Sequence, residues 1–320
     1  MVQILWLAAG LLMLIKGSDW LVKGASGLAK KYNVPDIVIG LTIVSFGTSL
    51  PELLVSLLSS MRGSSDIAVG NVLGSNIANV LLILGISGMI YPLTVKSNTT
   101  WVEIPISLAA AILLGILAHF GFESTAVQQM IGRGDGMLLL IGFVAFMWYI
   151  YRLVKSGKEV PIEVVGFVPM PLKNSLFLIL VGTGVMAFGG KLCVDNAILM
   201  AQAWGVSESL IGLTVVAVGT SLPELATSAV AAYKKQTDIA VGNVVGSNIF
   251  NILWILGLSA SITPMPFRSE INFDFAVVIG SSLLLFLVMF IGKKNTLGRW
   301  KGLFFVLLYI AYTIYLINRG

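Results

Sequence analysis

Two glutamates stand in strongly apolar surroundings, each directly after a proline. Glu52 and Glu224 both belong to the heptapeptide GTSLPEL, which occurs twice in the chain. A carboxylate inside a membrane-spanning segment costs several kcal/mol and marks a functional site by default. The alternative is a protonated glutamate that only hydrogen-bonds within a helix bundle. The same costly residue at two equivalent positions favours an ion-binding role.

The residues around both glutamates offer further oxygen atoms. Hydroxyl and amide side chains recur in both copies, namely Thr48, Ser49, Ser75 and Asn79 in the first and Thr220, Ser221, Ser247 and Asn251 in the second. Pro51 and Pro223 interrupt backbone hydrogen bonding, which frees carbonyl oxygens inside the segment. Hard cations prefer such oxygen ligands, whereas soft metals prefer cysteine and histidine. The set predicts a site for Na⁺ or Ca²⁺. For Asn71, Asn76 and their counterparts Asn243 and Asn248, packing and ion binding are equally compatible with the sequence.

Other kinds of chemistry have little support in this sequence. The chain contains one cysteine, Cys193, and one histidine, His119. These counts exclude an internal disulfide, a metal site rich in Cys or His, and an ordinary Cys–His nucleophile pair. The motifs HExxH and GxSxG and a nucleotide-binding loop are absent from the sequence. An intramembrane enzyme is therefore a weak alternative, and we expect neither enzymatic activity nor a cofactor.

The composition is that of an integral membrane protein. Of the 320 residues, 57% are hydrophobic and only 11% are charged, and the mean hydropathy is +0.95. Soluble domains carry roughly 25% charged residues. Apolar stretches of about 20 residues, enough to cross a bilayer, recur along the chain. The first, around Ile4 to Ile15, has neither a basic stretch before it nor a cleavage site after it, so we expect an uncleaved helix.

We expect an all-α fold of ten transmembrane helices. The predicted spans are 2–22, 36–61, 67–91, 101–121, 134–154, 174–197, 208–232, 239–263, 272–292 and 300–318. Residues 40–79 align without gaps with residues 212–251, and 24 of the 40 positions are identical. Helices 2 and 7, broken near their prolines, are equivalent in this alignment. The chain thus divides into a five-helix repeat (1–155), a cytoplasmic linker (156–173) and a second five-helix repeat (174–320).

An odd number of helices in each repeat requires the two repeats to be inverted relative to each other. Loops after the odd-numbered helices contain 14 basic residues, and the opposite side contains 5. Because basic loops stay in the cytoplasm, we expect a multi-pass protein of the cell membrane with both termini outside and the central loop inside. Inverted repeats with broken helices are typical of secondary transporters that bind ions near the membrane midplane.

The duplicated motif resembles a known family. Two copies of GTSLPEL, each followed by GN-x-x-GSNI-x-N, resemble the α-repeats of the sodium/calcium exchangers in the cation/calcium antiporter superfamily. The chain looks like a prokaryotic member, since the central loop carries no large insert. The resemblance implies exchange of Na⁺ for Ca²⁺ by alternating access, with helices 1 and 6 moving across a core. An antiporter of Ca²⁺ or another divalent cation against H⁺ is the alternative, because both carboxylates can bind protons.

The resemblance also implies a set of ligands and partners. Four cation sites would lie at the midplane, with Glu52 and Glu224 as shared acidic ligands and the hydroxyl and amide residues around them. The backbone carbonyls of Ser45 and Ala217 match further ligands. Asn251 stands where potassium-dependent relatives carry aspartate, which argues against K⁺ co-transport. We expect Na⁺, Ca²⁺ and the lipid bilayer as partners, no nucleic acid, and a monomer.

Overall fold

The computed structural model describes residues 2–32, 34–63, 65–122, 129–156, 170–203, 217–267 and 271–319, and these residues fold mainly into helices. The first half contains α1 (Val2–Tyr32), α2 (Asp36–Thr48), α3 (Leu50–Met61), α4 (Ser65–Ile90), α5 (Thr99–Phe120) and α6 (Arg133–Ser156). The second half contains α7 (Leu172–Ala203), α8 (Ala217–Thr220), α9 (Leu222–Tyr233), α10 (Thr237–Ile262), α11 (Asn272–Val288) and α12 (Arg299–Arg319). The described residues are thus predominantly helical, as the all-α prediction requires.

Many of these helices are long and apolar enough to cross a membrane. Within the described residues, length and composition identify seven such helices, or eight if the bent pair of α2 and α3 forms one span. The two members of that pair meet at an angle of 50°. A total of ten spans additionally requires α11, which is apolar but shorter, and the segment that ends in α8 and α9. The first nine residues of that predicted segment, 208–216, lie outside the described residues.

The first helix is longer than the predicted span of 2–22. α1 continues to Tyr32, so Lys23, Lys30 and Lys31 lie on the helix and the prediction that they belong to a loop is wrong. Lys23 forms an ion pair with Asp19 at 2.8 Å, one helical turn away, which accommodates its charge within the helix. Most of the predicted linker, at 157–169, lies outside the described residues.

α1 and α7 pack antiparallel through closely spaced glycines. A Cβ atom added to Gly10 or Gly189 would lie 2.8 Å from the carbonyl oxygen of the other. The same holds seven residues further along, where the distance is 2.7 Å for Gly17 and Gly182. Glycine allows two helix backbones to approach this closely. The two helices therefore form a tightly packed pair. In addition, Lys234, directly after α9, forms an ion pair with Asp19 of α1.

The two halves of the chain are joined by two short antiparallel strand pairs. β1 (Leu93–Thr94) pairs with β4 (Thr296–Leu297), and β2 (Met130–Ile131) pairs with β3 (Met265–Pro266). β1 follows α4 and β4 precedes α12, whereas β3 follows α10 and β2 precedes α6, so each pair is the counterpart of the other. The sequence predicts no strands here, because two residues are too few to show an alternating pattern.

The centre of the protein is formed by α4 and α10, the two helices that carry the repeated asparagines. About 94% of the most apolar stretch of α10 is buried, and 72% of that of α4, compared with 11% for α12. α10 crosses α2 where Gly40 and Gly242 meet, since a Cβ on Gly40 would lie 3.0 Å from the Cα of Gly242. At the other end of α2, a hydrogen bond from Thr48 to Asn243 holds the helix break against α10.

Candidate ion-binding site

Each repeated motif forms a helix break at a single serine. α2 ends at Thr48 and α3 begins at Leu50, so Ser49 (φ −84°, ψ 6°) is the only residue between them. Pro51 lies in the first turn of α3, where a missing N–H removes no helical hydrogen bond. The break therefore precedes the proline. α8 and α9 have the same arrangement around Ser221 (φ −86°, ψ 6°).

The start of each inner helix favours a negative charge at the glutamate. Glu52 and Glu224 lie in the first turns of α3 and α9, where the helix dipole stabilises a carboxylate. Both residues are 1% exposed. In the described part of the chain, no ion pair joins either glutamate to a lysine or arginine. Among these residues, the two carboxylates therefore have no basic partner.

Each glutamate accepts a hydrogen bond from the serine at the break of the other repeat. Ser49 Oγ donates to Oε1 of Glu224 at 3.0 Å, and Ser221 Oγ donates to Oε1 of Glu52 at 3.4 Å. Serine at such a position usually caps its own helix, but neither serine does so here. The hydroxyls instead connect the two breaks, which places both carboxylates in one site.

Two asparagines connect each break to the opposite central helix. Thr48 Oγ1 donates to Oδ1 of Asn243 at 3.0 Å, and Thr220 Oγ1 donates to Oδ1 of Asn71 at 3.2 Å. The two bonds are equivalent under the repeat offset of 172 residues. A hydroxyl that donates its proton retains oxygen lone pairs. Both threonine oxygens can therefore still contact a cation.

Six buried side-chain oxygens of the predicted ligand residues lack a hydrogen-bond partner among the described residues. They form three pairs related by the repeat: Oε2 of Glu52 and Glu224, Oγ of Ser75 and Ser247, and Oδ1 of Asn79 and Asn251. All six residues are at most 1% exposed. Burial of an oxygen without a partner is unfavourable, so most buried polar groups in proteins are paired. Six unpaired oxygens with repeat symmetry fit the coordination chemistry of a hard cation.

Wide helical turns hold the asparagine members of this set. Asn79 is the second residue of the π-helical segment Ala78–Ile83 within α4, and Asn251 is the second residue of Phe250–Leu256 within α10. Such turns inside α-helices are frequent at functional sites. Ser247 lies on α10, four residues before Asn251, and its Oγ has no hydrogen-bond partner among the described residues.

The predicted carbonyl ligands are placed less clearly. The Ser45 carbonyl already accepts hydrogen bonds from the Ser49 amide at 2.9 Å and from the Thr48 hydroxyl at 3.2 Å. A cation at this carbonyl requires Thr48 to donate only to its other acceptor. In the second repeat, the Ser221 amide bonds to the Val218 carbonyl at 3.2 Å instead. Ala217 begins α8. Both carbonyl ligands stay predictions.

The sequence did not single out Ser56 and Ser228. Asn71 donates to Oγ of Ser56 at 3.0 Å, and Asn243 donates to Oγ of Ser228 at 2.9 Å. Both serines are fully buried, and they fix the asparagines that hold the threonines. They lie four residues after each glutamate and are identical in the aligned repeats. A serine conserved between the repeats, one helical turn after each glutamate, was the sequence signal that could have identified them.

Comparison with known proteins gives consistent matches over nearly the whole chain. Residues 2–152 and 174–318 match the family described as "Sodium/calcium exchanger protein". The chain is 33% identical over 345 residues to the sodium/calcium exchanger MaX1 of Methanosarcina acetivorans, with 98% of each chain covered. It is 36% identical to the putative antiporter CaxA of Alkalimonas amylolytica, again over 98% of each chain. It is 38% identical to the inner membrane protein YrbG of Escherichia coli, over 81% of this chain and 79% of that protein.

Solved structures give the same result. The sodium-calcium exchanger NCX_Mj soaked with 2.5 mM Na⁺ and 1 mM Sr²⁺ matches with a TM-score of 0.81 and 35% identity, over 98% of this chain and 97% of that chain. A second structure, soaked with 10 mM Na⁺ and no Ca²⁺, also has a TM-score of 0.81, with 36% identity over 97% of each chain. The similarity in sequence and in fold therefore covers both halves of the chain.

Proposed function

Because this chain belongs to the sodium/calcium exchanger protein family, we propose that this membrane antiporter exchanges Na⁺ for Ca²⁺ at a site between Glu52 and Glu224. The family confirms the resemblance inferred from the duplicated motif. The observation that carries the proposed site is the symmetric set of six buried oxygens, which lack hydrogen-bond partners among the described residues. The proposed ligands are Glu52, Glu224, Thr48, Ser49, Ser75, Asn79, Thr220, Ser221, Ser247 and Asn251, with the carbonyls of Ser45 and Ala217.

The charge of the site limits what it can hold. Glu52 and Glu224 supply two negative charges, and the amides of Asn79 and Asn251 supply none. Two carboxylates balance one Ca²⁺ or two Na⁺. A third Na⁺ leaves the loaded site with one positive charge, so exchange of three Na⁺ for one Ca²⁺ is electrogenic. The absence of a carboxylate at Asn251 is also our reason for expecting no K⁺ co-transport.

The architecture that we propose is two inverted five-helix repeats, 1–155 and 174–320, with ten transmembrane helices. Support comes from contacts that occur twice with the repeats exchanged, such as the Ser49–Glu224 and Ser221–Glu52 hydrogen bonds. A site between inverted repeats can open to either side when one repeat moves against the other. We place this site at the membrane midplane, both termini outside the cell, and the central loop in the cytoplasm.

The coupling ion is tested by transport into proteoliposomes. We expect uptake of ⁴⁵Ca²⁺ when the vesicles are loaded with Na⁺ and the outside is free of Na⁺, and no uptake when K⁺ replaces the internal Na⁺. Collapse of the pH gradient with a protonophore should leave the initial uptake in place. Uptake that needs a pH gradient and ignores Na⁺ would instead establish the Ca²⁺/H⁺ alternative.

The site itself is tested by removing each charge without changing its shape. Glu52→Gln and Glu224→Gln should each abolish exchange, because a single carboxylate no longer balances Ca²⁺. Asp195→Asn is the matched control, since that carboxylate is 50% exposed and, among the described residues, pairs only with Lys191 one turn away on α7. The control should transport at the rate of the unmodified protein. Normal exchange by either glutamine variant would refute the assignment.

A further inference from the structure

Four asparagines form a hydrogen-bonded cluster between α4 and α10, which we call the asparagine quartet. Asn79 Nδ2 donates to Oδ1 of Asn248 at 2.9 Å, and Asn251 Nδ2 donates to Oδ1 of Asn76 at 3.0 Å. All four residues are at most 2% exposed. The two bonds are equivalent under the repeat offset of 172 residues. Each proposed amide ligand, Asn79 and Asn251, is therefore held by a neighbour that is not itself a proposed ligand.

The directions of the Asn76 and Asn251 amides follow from these contacts. An asparagine side chain carries an oxygen that accepts and an NH₂ group that donates. Asn76 Nδ2 donates to the backbone carbonyl of Asn248 at 3.4 Å. A carbonyl oxygen can only accept, so the nitrogen of Asn76 faces it and the oxygen of Asn76 faces Asn251. Asn251 must then present its nitrogen to Asn76, which leaves its own oxygen pointing elsewhere.

The two amide oxygens of the quartet that accept no hydrogen bond within it belong to Asn79 and Asn251. Oδ1 of Asn79 and Oδ1 of Asn251 have no hydrogen-bond donor among the described residues, although both are buried. We infer that Asn76 and Asn248 are positioning residues, which turn the amide oxygens of Asn251 and Asn79 toward the transported cation. This inference rests on the proposed function. A released amide can rotate and present its NH₂ group, whose hydrogens repel a cation.

The quartet also explains why position 251 is neutral in this chain. The oxygen of Asn76 requires a donor opposite it, and an ionised aspartate at position 251 offers only acceptor oxygens. Such an aspartate needs either a proton or a rotated Asn76, and rotation breaks the bond from Asn76 to the Asn248 carbonyl. The quartet therefore favours a neutral amide at position 251. As a result, the negative charge of the proposed site comes from the two glutamates alone.

Double-mutant cycles test this role, because they separate an effect through one neighbour from a general structural effect. We would measure equilibrium binding of ⁴⁵Ca²⁺ to the purified full-length protein in detergent. Asn251→Ala and Asn76→Ala should each lower Ca²⁺ affinity, the latter by about 10- to 100-fold, as removal of partners behind metal ligands does. The double variant should bind no more than about threefold more weakly than Asn251→Ala, because Asn76 acts through Asn251.

Two outcomes overturn the inference. One is a double variant whose loss is the product of the two single losses, and the other is an unchanged affinity in Asn76→Ala. If Asn76→Ala elutes as an aggregate or loses its unfolding transition, the same cycle with Asn248→Ala and Asn79→Ala provides the test. Failure of the unmodified protein to bind Ca²⁺ contradicts the proposed function instead, so the two failures are distinguishable.

Discussion

At the scale of single residues, the site is organised by hydroxyl groups that serve two partners. Ser49 donates a hydrogen bond to Glu224, and Ser221 donates one to Glu52. Each serine oxygen keeps lone pairs that can contact a cation. The same side chain can therefore hold a carboxylate in place and add a ligand. This arrangement needs the serine of one repeat and the glutamate of the other, so neither repeat builds the site alone.

Removal of one such hydroxyl should weaken cation binding without preventing folding. Ser49→Ala deletes the donor to Oε1 of Glu224, which lies 3.0 Å away, and deletes a proposed ligand. A hydrogen bond to a charged group contributes about 1.5–3 kcal/mol, and 1.4 kcal/mol corresponds to about tenfold in affinity. We expect the Ca²⁺ concentration for half-maximal uptake to rise at least about tenfold.

Ser261→Ala is the control for that prediction. Its hydroxyl donates to the Gly257 carbonyl at 2.7 Å within α10 and touches no proposed ligand. We expect the half-maximal Ca²⁺ concentration to stay within about twofold of the unmodified value, because a hydroxyl bound to its own helix contributes little beyond local packing. Equal changes in both variants would indicate a general response to loss of a hydroxyl and contradict the role of Ser49.

At the scale of helices and loops, the sequence predicted the types of the elements better than their ends. The duplicated GTSLPEL motif indicated a break in the second helix, and the structure has one at Ser49. α1 runs ten residues past its predicted end, and Lys23, just beyond that end, pairs with Asp19 along the helix. A window of apolar residues cannot detect such a pair. The two-residue strands were missed because they are too short to show a periodic pattern.

For the candidate site as well, the sequence indicated some features and not others. Repetition identified Glu52 and Glu224 and the hydroxyl and amide residues near them. Local spacing did not decide whether Asn71 and Asn76 serve packing or binding. That decision depends on which atoms face them, and one partner of each comes from the other half of the chain: Thr220 for Asn71 and Asn251 for Asn76. Tertiary contacts of this kind have no signature in local spacing.

The glycine contacts between α1 and α7 yield a stability prediction with an internal control. In Gly182→Ala the new Cβ would lie 2.7 Å from the Gly17 carbonyl oxygen and 2.7 Å from the Leu21 amide nitrogen, so the helices must separate. Overpacking of this kind costs about 1–3 kcal/mol. We expect a lower midpoint of thermal unfolding for the purified protein.

Gly184→Ala lies two residues away on the same helix, and its Cβ meets no atom of the described residues within 4 Å. Alanine is more favourable than glycine inside a helix by about 0.5–1 kcal/mol. The midpoint for Gly184→Ala should therefore equal or exceed that of the unmodified protein. If both variants lower the midpoint equally, the close packing of α1 on α7 is not what limits stability.

At the scale of the whole molecule, the repeated contacts concern whether the two repeats are inverted, and the distribution of charge concerns how the protein is oriented in the membrane. The paired hydrogen bonds and the exchanged strand pairs support two inverted repeats, whichever side of the membrane each end occupies. The orientation rests only on the basic residues, 14 against 5, because positive loops stay in the cytoplasm. Lys23, Lys30 and Lys31 lie on α1 rather than in a loop, but all three are in the C-terminal part of that helix.

Both questions are answered by labelling single cysteines at the ends of α6 and α12. In a Cys193→Ala background, we would introduce Lys155→Cys or Asn318→Cys, both at exposed positions, and treat intact protoplasts with a membrane-impermeant maleimide. We expect Asn318→Cys to react directly and Lys155→Cys to react only after permeabilisation. Labelling of the two on the same side contradicts inverted five-helix repeats, because five spans separate them. Labelling on exchanged sides keeps the inversion and reverses the orientation.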